Sequence, residues 1–150
     1  MPSILNYIDV EDNVKFKSSL EFVEGIGLTY AEKLKVAGCF TCLDLLEKGA
    51  TTKGRAEIAE NSGIPSNLIF KWVNQVDLFR IKGVGPEYAE LLVAAGVYTV
   101  DELAQRNPVR LINAILRVNA ERNLVRRLPT LSQVESWVAQ AKILPRVVVF

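Results

Sequence analysis

One short pattern of residues occurs twice in this chain, and the duplication restricts the folds open to it more than any other feature. Gly25-Ile26-Gly27 is followed by Ala31, Leu34 and Gly38, and Gly83-Val84-Gly85 by Ala89, Leu92 and Gly96. At an offset of 58 residues, segments 25–46 and 83–104 are identical at 10 of 22 positions, among them Tyr30/Tyr88, Glu32/Glu90, Ala37/Ala95, Thr41/Thr99 and Leu45/Leu103. Self-similarity of this kind marks a repeated supersecondary unit that buries its apolar face against its copy. The unit here is two short helices joined by a Gly-apolar-Gly hairpin. At a helix N-terminus such a turn can present backbone N–H groups to a phosphate.

Around the hairpins the pattern is helical almost throughout. Residues 28–37 read as a short helix ended by Gly38. Thr41-Cys42-Leu43-Asp44 resembles a capping box with Asp in the usual Glu position, and Thr99-Val100-Asp101-Glu102 is its counterpart. Thr51 and Thr52 cap a helix that runs to Asn61 and stops at Gly63. Pro65-Ser66 opens a longer helix to about residue 79, with Leu68, Ile69, Trp72, Val73 and Val76 at helical spacing. Asn107-Pro108 is a strong helix start, with Leu111, Ile112, Ile115 and Leu116 as its buried stripe. Ser132-Gln133-Val134-Glu135 reads as a further capping box, before Trp137 and Val138. These two correspond to Trp72 and Val73 at an offset of 65, so the second repeat carries a net insertion of seven residues. Trp72, Trp137, Leu34, Leu92, Leu45 and Leu103 are the core candidates.

The ends are less regular. Ile4, Tyr7, Ile8, Val10, Val14 and Phe16 alternate with polar residues and suggest a short extended or irregular arm. The β-branched tail Val147-Val148-Val149-Phe150 reads as a strand that pairs with that arm.

Composition excludes several functions. At 150 residues, 49% hydrophobic and 23% charged, the chain suits one ordinary soluble domain or two small ones. It has no histidine, so a Ser-His-Asp triad or a His-based zinc site is impossible in this chain alone. No apolar run is long enough to span a bilayer and the N-terminus lacks a signal peptide, so a cytoplasmic location is expected. Cys39-Phe40-Thr41-Cys42 has metal-ligand spacing, but there is no further Cys or His to complete a site. The repeat aligns Val97 and Val100 with the two cysteines, which reads them as small buried residues in a reduced compartment. Net charge is only +1, but residues 1–79 carry 8 Lys/Arg against 11 Asp/Glu and residues 80–150 carry 10 against 6. The basic half is therefore the one to inspect for a polyanion partner.

The stretch from Gly83-Val84-Gly85-Pro86 through Ala95-Gly96-Val97-Tyr98-Thr99-Val100-Asp101-Glu102-Leu103 resembles the helix-hairpin-helix unit at the N-terminus of RecA-like recombinases. It is also similar to the C-terminal domain of the RNA polymerase alpha subunit. The tandem run from Val23-Glu24-Gly25-Ile26-Gly27, through Trp72-Val73-Asn74, Arg80-Ile81-Lys82 and Arg126-Arg127-Leu128-Pro129, to Leu131-Ser132-Gln133-Val134-Glu135 resembles the family called domain of unknown function 4332. The resemblance covers roughly residues 20–150. It implies a fold and no settled activity.

The expected architecture is all-α. An arm of residues 1–19 precedes two tandem helix-hairpin-helix repeats, 20–79 and 80–150, which share a core and have a minor extended segment at the termini. The second hairpin is the stronger candidate site. Arg80 and Lys82 flank Gly83, Val84 and Gly85, whose amides would hold a phosphate oxygen in a sequence-independent, salt-sensitive contact. Glu87 and Glu90 in the following helix oppose this, and the alternative is a turn that merely joins two packed helices. The first hairpin, Gly25, Ile26 and Gly27, is weaker, because Glu21 and Glu24 precede it and Leu28 stands where Pro86 does. Arg106, Arg110, Arg117, Arg122, Arg126 and Arg127 form the densest basic region. Arg110 and Arg117 share a helix face and either extend a phosphate track from Lys82 or form a solvated face paired with Glu102 or Glu121. Tyr30 and Tyr88 pack on the preceding helix or stack on a base. The leading expectation is a non-enzymatic module that binds DNA or RNA backbone, with no catalytic residue, metal or cofactor. The alternative is a protein-interaction adaptor that has lost phosphate binding.

Overall fold

The computed structural model describes residues 13–150. Over these the chain is all-α: α1 (Asn13–Lys17), a 3-10 turn (Leu20–Phe22), α2 (Leu28–Val36), α3 (Cys42–Gly49), α4 (Thr52–Ser62), α5 (Ser66–Leu78), α6 (Pro86–Ala94), α7 (Val100–Ala104), α8 (Pro108–Arg122) and α9 (Leu131–Ile143). None of these helices is long and apolar enough to cross a membrane. The expected arm at Ile4, Tyr7, Ile8 and Val10 lies outside the described residues.

The helix starts follow from side-chain caps that satisfy orphan amides. Thr41 Oγ1 accepts from Asp44 N at 3.2 Å while Asp44 Oδ2 accepts from Thr41 N at 3.1 Å, so Asp completes the box in place of Glu. In the second repeat Thr99 Oγ1 accepts from Glu102 N at 3.2 Å, but the Glu102 carboxylate reaches Tyr98 N at 3.4 Å, and α7 lasts little more than one turn. Thr51 caps α4, which ends at Gly63 with φ 74°, and Asn107 caps α8. The cap of α9 is Thr130, two residues before the Ser132 expected from the sequence. Thr130 and Gln133 exchange both capping-box bonds, at 2.8 and 3.1 Å, and Thr130 is the counterpart of Pro65 at the offset of 65. Much of the seven-residue insertion falls in α8, which has 15 residues against 11 in α4, and in the connection 123–130.

Helices α2–α5 and α6–α9 repeat one arrangement. In each set the first helix packs on the third, the second on the fourth and the third on the fourth. Buried side chains from both sets form one contiguous core that includes all six expected residues. Helix α5 and its C-terminal extension run through its centre, and every residue from Trp72 to Ile81 is buried.

The tail is not a strand; the arm expected to pair with it lies largely outside the described residues, and the tail's described contacts are with α3, α4 and α5. Val149 N donates to Ala50 O at 2.8 Å, beyond α3. The Arg55 guanidinium donates to Val149 O at 2.8 Å and Gly49 O at 2.9 Å, and the Arg80 guanidinium donates to Pro145 O. Phe150 packs edge-on against Phe70 at 5.4 Å, and Phe70 against Tyr98 at 6.3 Å. Guanidinium groups of Arg55 and Arg80 occupy the carbonyls of Val149 and Pro145, which disfavours a regular strand ladder at those two positions.

Cys39 and Cys42 are fully buried free thiols. Burial pushes Cys39 up to about 11 and Cys42 up to about 12. Because both folded values lie above the ordinary thiol value of 9.0, the unfolded chain loses its protons first as pH rises. The thiols' contribution to stability is thus complete below pH 9 and lost above it. Two results are expected: a thiol-reactive dye at pH 8 labels the native protein no faster than it unfolds, and the denaturation midpoint falls between pH 9 and pH 11.

Candidate functional site

The hairpins are built on glycine. Gly25 has φ 97° and Gly83 φ 94°, a region that other residues enter only with strain. Space imposes the same requirement. A Cβ on Gly25 would stand 3.3 Å from Trp72 Nε1, and one on Gly83 would stand 3.1 Å from Trp137 Nε1. The tyrosine of each following helix completes the seat: Tyr30 meets Trp72 edge-on at 5.0 Å, and Tyr88 meets Trp137 at 5.3 Å. One helical turn beyond each tryptophan a glutamine holds the residue before the glycine. Gln140 bonds both sides of Lys82, accepting from its N at 2.8 Å and donating to its O at 3.1 Å. Gln75 makes the corresponding bond to Glu24 O at 3.4 Å. The tyrosines therefore pack on the last helix of their own repeat rather than on the helix before the hairpin. The Trp72/Trp137 correspondence at the offset of 65 extends to Gln75/Gln140 and is visible in the sequence, but the contacts of the glutamines with Glu24 and Lys82 are not.

The seat orients the amides. Val84 N donates to Ile81 O at 3.1 Å and Ile26 N to Val23 O at 3.1 Å, closing the two turns. These N–H groups are used internally and the Val84 and Ile26 side chains are buried, so neither residue is a phosphate ligand. Among the described residues no hydrogen bond reaches the N–H of Gly83 or Gly85, and Gly85 caps α6 without a side chain. Behind Pro86, which lacks the group, the first-turn N–H groups of Glu87 and Tyr88 also point out of the helix. Four amides thus gather at the positive end of α6.

The charged residues divide differently from the expectation. Arg80 is not at the surface. It is 4% exposed, its Nη1 donates to Asp77 Oδ1 at 2.8 Å, and the second oxygen of Asp77 accepts from Val100 N at 2.8 Å. Burial pushes the Asp77 carboxyl above its ordinary value, against the pull of Arg80 and the Val100 N–H. Arg80 is a structural tie between α5, α7 and the tail, and it cannot contact a phosphate. Lys82 is exposed beside the turn. Arg110 and Arg117 are exposed on one face of α8 with Asn113 and Leu116 between them.

A shallow pocket at the second hairpin is lined by Gly83, Gly85, Pro86, Glu87 and Tyr88, with Glu24 from the first hairpin and Arg127 from the 123–130 connection. Tyr88 Oη donates to Arg127 O at 2.9 Å, and Asn119 clasps Val125 through bonds of 3.1 and 2.9 Å, so the inserted connection is fixed against the hairpin. The sequence places Arg127 in a basic region but does not show that the insertion carries it to this turn. The first hairpin has Leu28 in place of Pro86, 68% exposed, and Glu24 in place of Lys82. Among the described residues no group of His, Cys, Asp and Glu is arranged to hold a metal ion.

The family model described as domain of unknown function (DUF4332) matches residues 24–144, and the chain belongs to that family. No curated protein and no solved structure matches it.

Replacing Arg80 by Met strands the buried Asp77 carboxylate. The expected loss in a denaturant titration is about 3–5 kcal/mol, the usual cost of breaking a buried pair from one side. Lys82→Met, at an exposed position, is expected to change stability by less than about 1 kcal/mol.

Proposed function

We propose that this member of the DUF4332 family is a non-enzymatic module that binds the nucleic-acid backbone, without reading sequence, through its second hairpin. The observation that supports this most is the cluster of unbonded amides at Gly83, Gly85, Glu87 and Tyr88, on an uncapped helix N-terminus beside exposed Lys82 and Arg127. Amides so placed suit a phosphate oxygen, and the two cations add attraction that depends on salt. The resemblance of each repeat to the helix-hairpin-helix unit of RecA-like recombinases supports the same reading. Arg110 and Arg117 line a groove of their own on α8 with Asn113 and Leu116, and they add a second basic surface rather than a continuation of the hairpin pocket. Backbone contacts carry no sequence information, so both DNA and RNA are expected ligands.

A second reading, a protein-binding adaptor, is favoured by one specific feature. Glu24 and Glu87 line the same pocket and repel phosphate, while Leu28 offers a protruding apolar contact at the neighbouring hairpin.

Fluorescence-anisotropy titration against short single-stranded and duplex DNA and RNA separates the two. Binding that weakens steeply with salt is expected, and Lys82→Glu should abolish most of it. The pair Lys82→Glu and Arg127→Glu should lower affinity by well over about tenfold and flatten the logarithmic salt slope by roughly 0.9 for each phosphate that is no longer neutralised. Glu87→Gln should raise affinity. Absence of binding at low salt, or no effect of the double variant, overturns the backbone reading and leaves the adaptor.

A further inference from the structure

The second hairpin holds a side chain that the first does not. Lys15 Nζ of α1 donates to the carbonyls of Phe79 at 3.1 Å, Ile81 at 3.3 Å and Val84 at 3.2 Å. Those oxygens belong to the end of α5 and to the turn itself, and Ile81 O also accepts the bond that closes the turn. Three carbonyl dipoles converging at the negative end of a helix repel one another. An ammonium with three donors relieves that repulsion and replaces its own hydration with charge-assisted bonds.

The duplication supplies an internal comparison. At the 58-residue offset the corresponding carbonyls are those of Glu21, Val23 and Ile26. Their turn has nearly the same glycine dihedral and the same closing bond, yet among the described residues no side-chain ammonium is bonded to them. The cation at the second hairpin is therefore not part of the repeated unit. It is delivered by α1, which packs on α3 of the first repeat and is anchored there by the fully buried Phe16.

We infer that Lys15 is the resident cation of the second hairpin, a positioning residue that fixes the turn and couples its shape to the docking of α1. The coupling is independent of what the hairpin binds. When α1 is docked, the carbonyls of Phe79, Ile81 and Val84 are held inward and the amides of Gly83, Gly85, Glu87 and Tyr88 are held outward. When α1 leaves, the carbonyls lose their partner and the amide cluster loses its fixed geometry. The device makes α1, an element outside the repeat, a control on the candidate site.

The test is backbone amide exchange in the full chain, comparing the parent protein with Lys15→Met and with Lys17→Met, the latter an exposed control on the same helix. Lys15→Met is expected to speed exchange of the hydrogen-bonded Val84 amide, which closes the second turn, by about tenfold, with the corresponding Ile26 amide unchanged and with no effect of Lys17→Met. Ammonium or potassium ions should slow it again, and choline at equal ionic strength should not, because only a small cation can enter the three-carbonyl cage. Unchanged exchange overturns the inference. So does equal recovery in choline, which would mean screening alone, or loosening of both hairpins together, which would mean a general loss of stability. Should Lys15→Met fail to fold, the Nζ resonance of Lys15 in the parent protein decides. A slowly exchanging ammonium signal distinct from the other lysines supports the inference, and one that exchanges as they do overturns it.

Discussion

The indole nitrogens of Trp72 and Trp137 lie against the two positions, Gly25 and Gly83, where any other residue would place a Cβ. This close approach, together with a positive φ, is the constraint from which the rest of each repeat follows. It sets how near the last helix of a repeat comes to the hairpin, and so where Gln75 and Gln140 meet the residue before the glycine. It brings the tyrosine of α2 or α6 against the tryptophan, edge-on at 5.0 Å for Tyr30 and tilted at 5.3 Å for Tyr88, separations that favour aromatic pairs. The turn is thereby held on both sides, and the N–H groups that its own carbonyls do not use face outward. The outward amides are a consequence of packing, which is why both hairpins have them whatever either one binds.

Much of this was legible in the sequence because it is written locally. Paired glycines, Thr and Asn caps, Pro at a first helical position and apolar residues at helical spacing report their own surroundings, and they give the all-α class, most helix starts and the core. Arg80 was misread for a physical reason. An arginine two residues from an exposed lysine looks like surface, and only the passage of α5 through the shared core makes that position interior. The Gln140–Lys82 contact joins residues 58 apart, and Tyr88 reaches Arg127 across 39, so neither is a pattern that a local reading can see. The tail failed for a related reason. Val147, Val148 and Val149 have strand propensity, but propensity does not reveal that guanidinium groups from α4 and the end of α5 hold the Val149 and Pro145 carbonyls.

Those two guanidinium groups show how buried charge is used here. An ion pair removed from water is weak evidence of net stabilisation, since desolvation offsets most of the attraction. Asp77 and Arg80 do something more specific. The carboxylate accepts from Arg80 and from the first amide of α7, and the guanidinium reaches on to the tail. Arg55 acts likewise in the first repeat, tying the end of α3 and the start of α4 to Val149, with its guanidinium 5.3 Å from the Phe70 ring. The tail is thus fixed at one point by each repeat. A slip of one repeat against the other would keep the Asp77–Arg80 pair but strip its carboxylate of the Val100 N–H and the guanidinium of the Pro145 carbonyl, which penalises alternative packings even where the native pair adds little.

Symmetry of backbone and asymmetry of charge together define the candidate site. The hairpins share dihedrals, closing bonds, tryptophan seats and glutamine clasps. The residues that differ are those a ligand would meet. Lys82 faces Glu24 across the offset, Pro86 faces Leu28, and Arg127 arrives on an insertion that the first repeat lacks. Lys15 adds a cation behind the second turn alone. Because Glu24 also lines the second hairpin's pocket, the first hairpin acts there as an acidic wall. It lowers the attraction for any polyanion and confines the approach to the side held by Lys82 and Arg127. On one repeated backbone, the second turn thus carries cations and the first carries Glu24 beside the same pocket. The opposition follows from charge placement on a scaffold whose two halves are otherwise built alike.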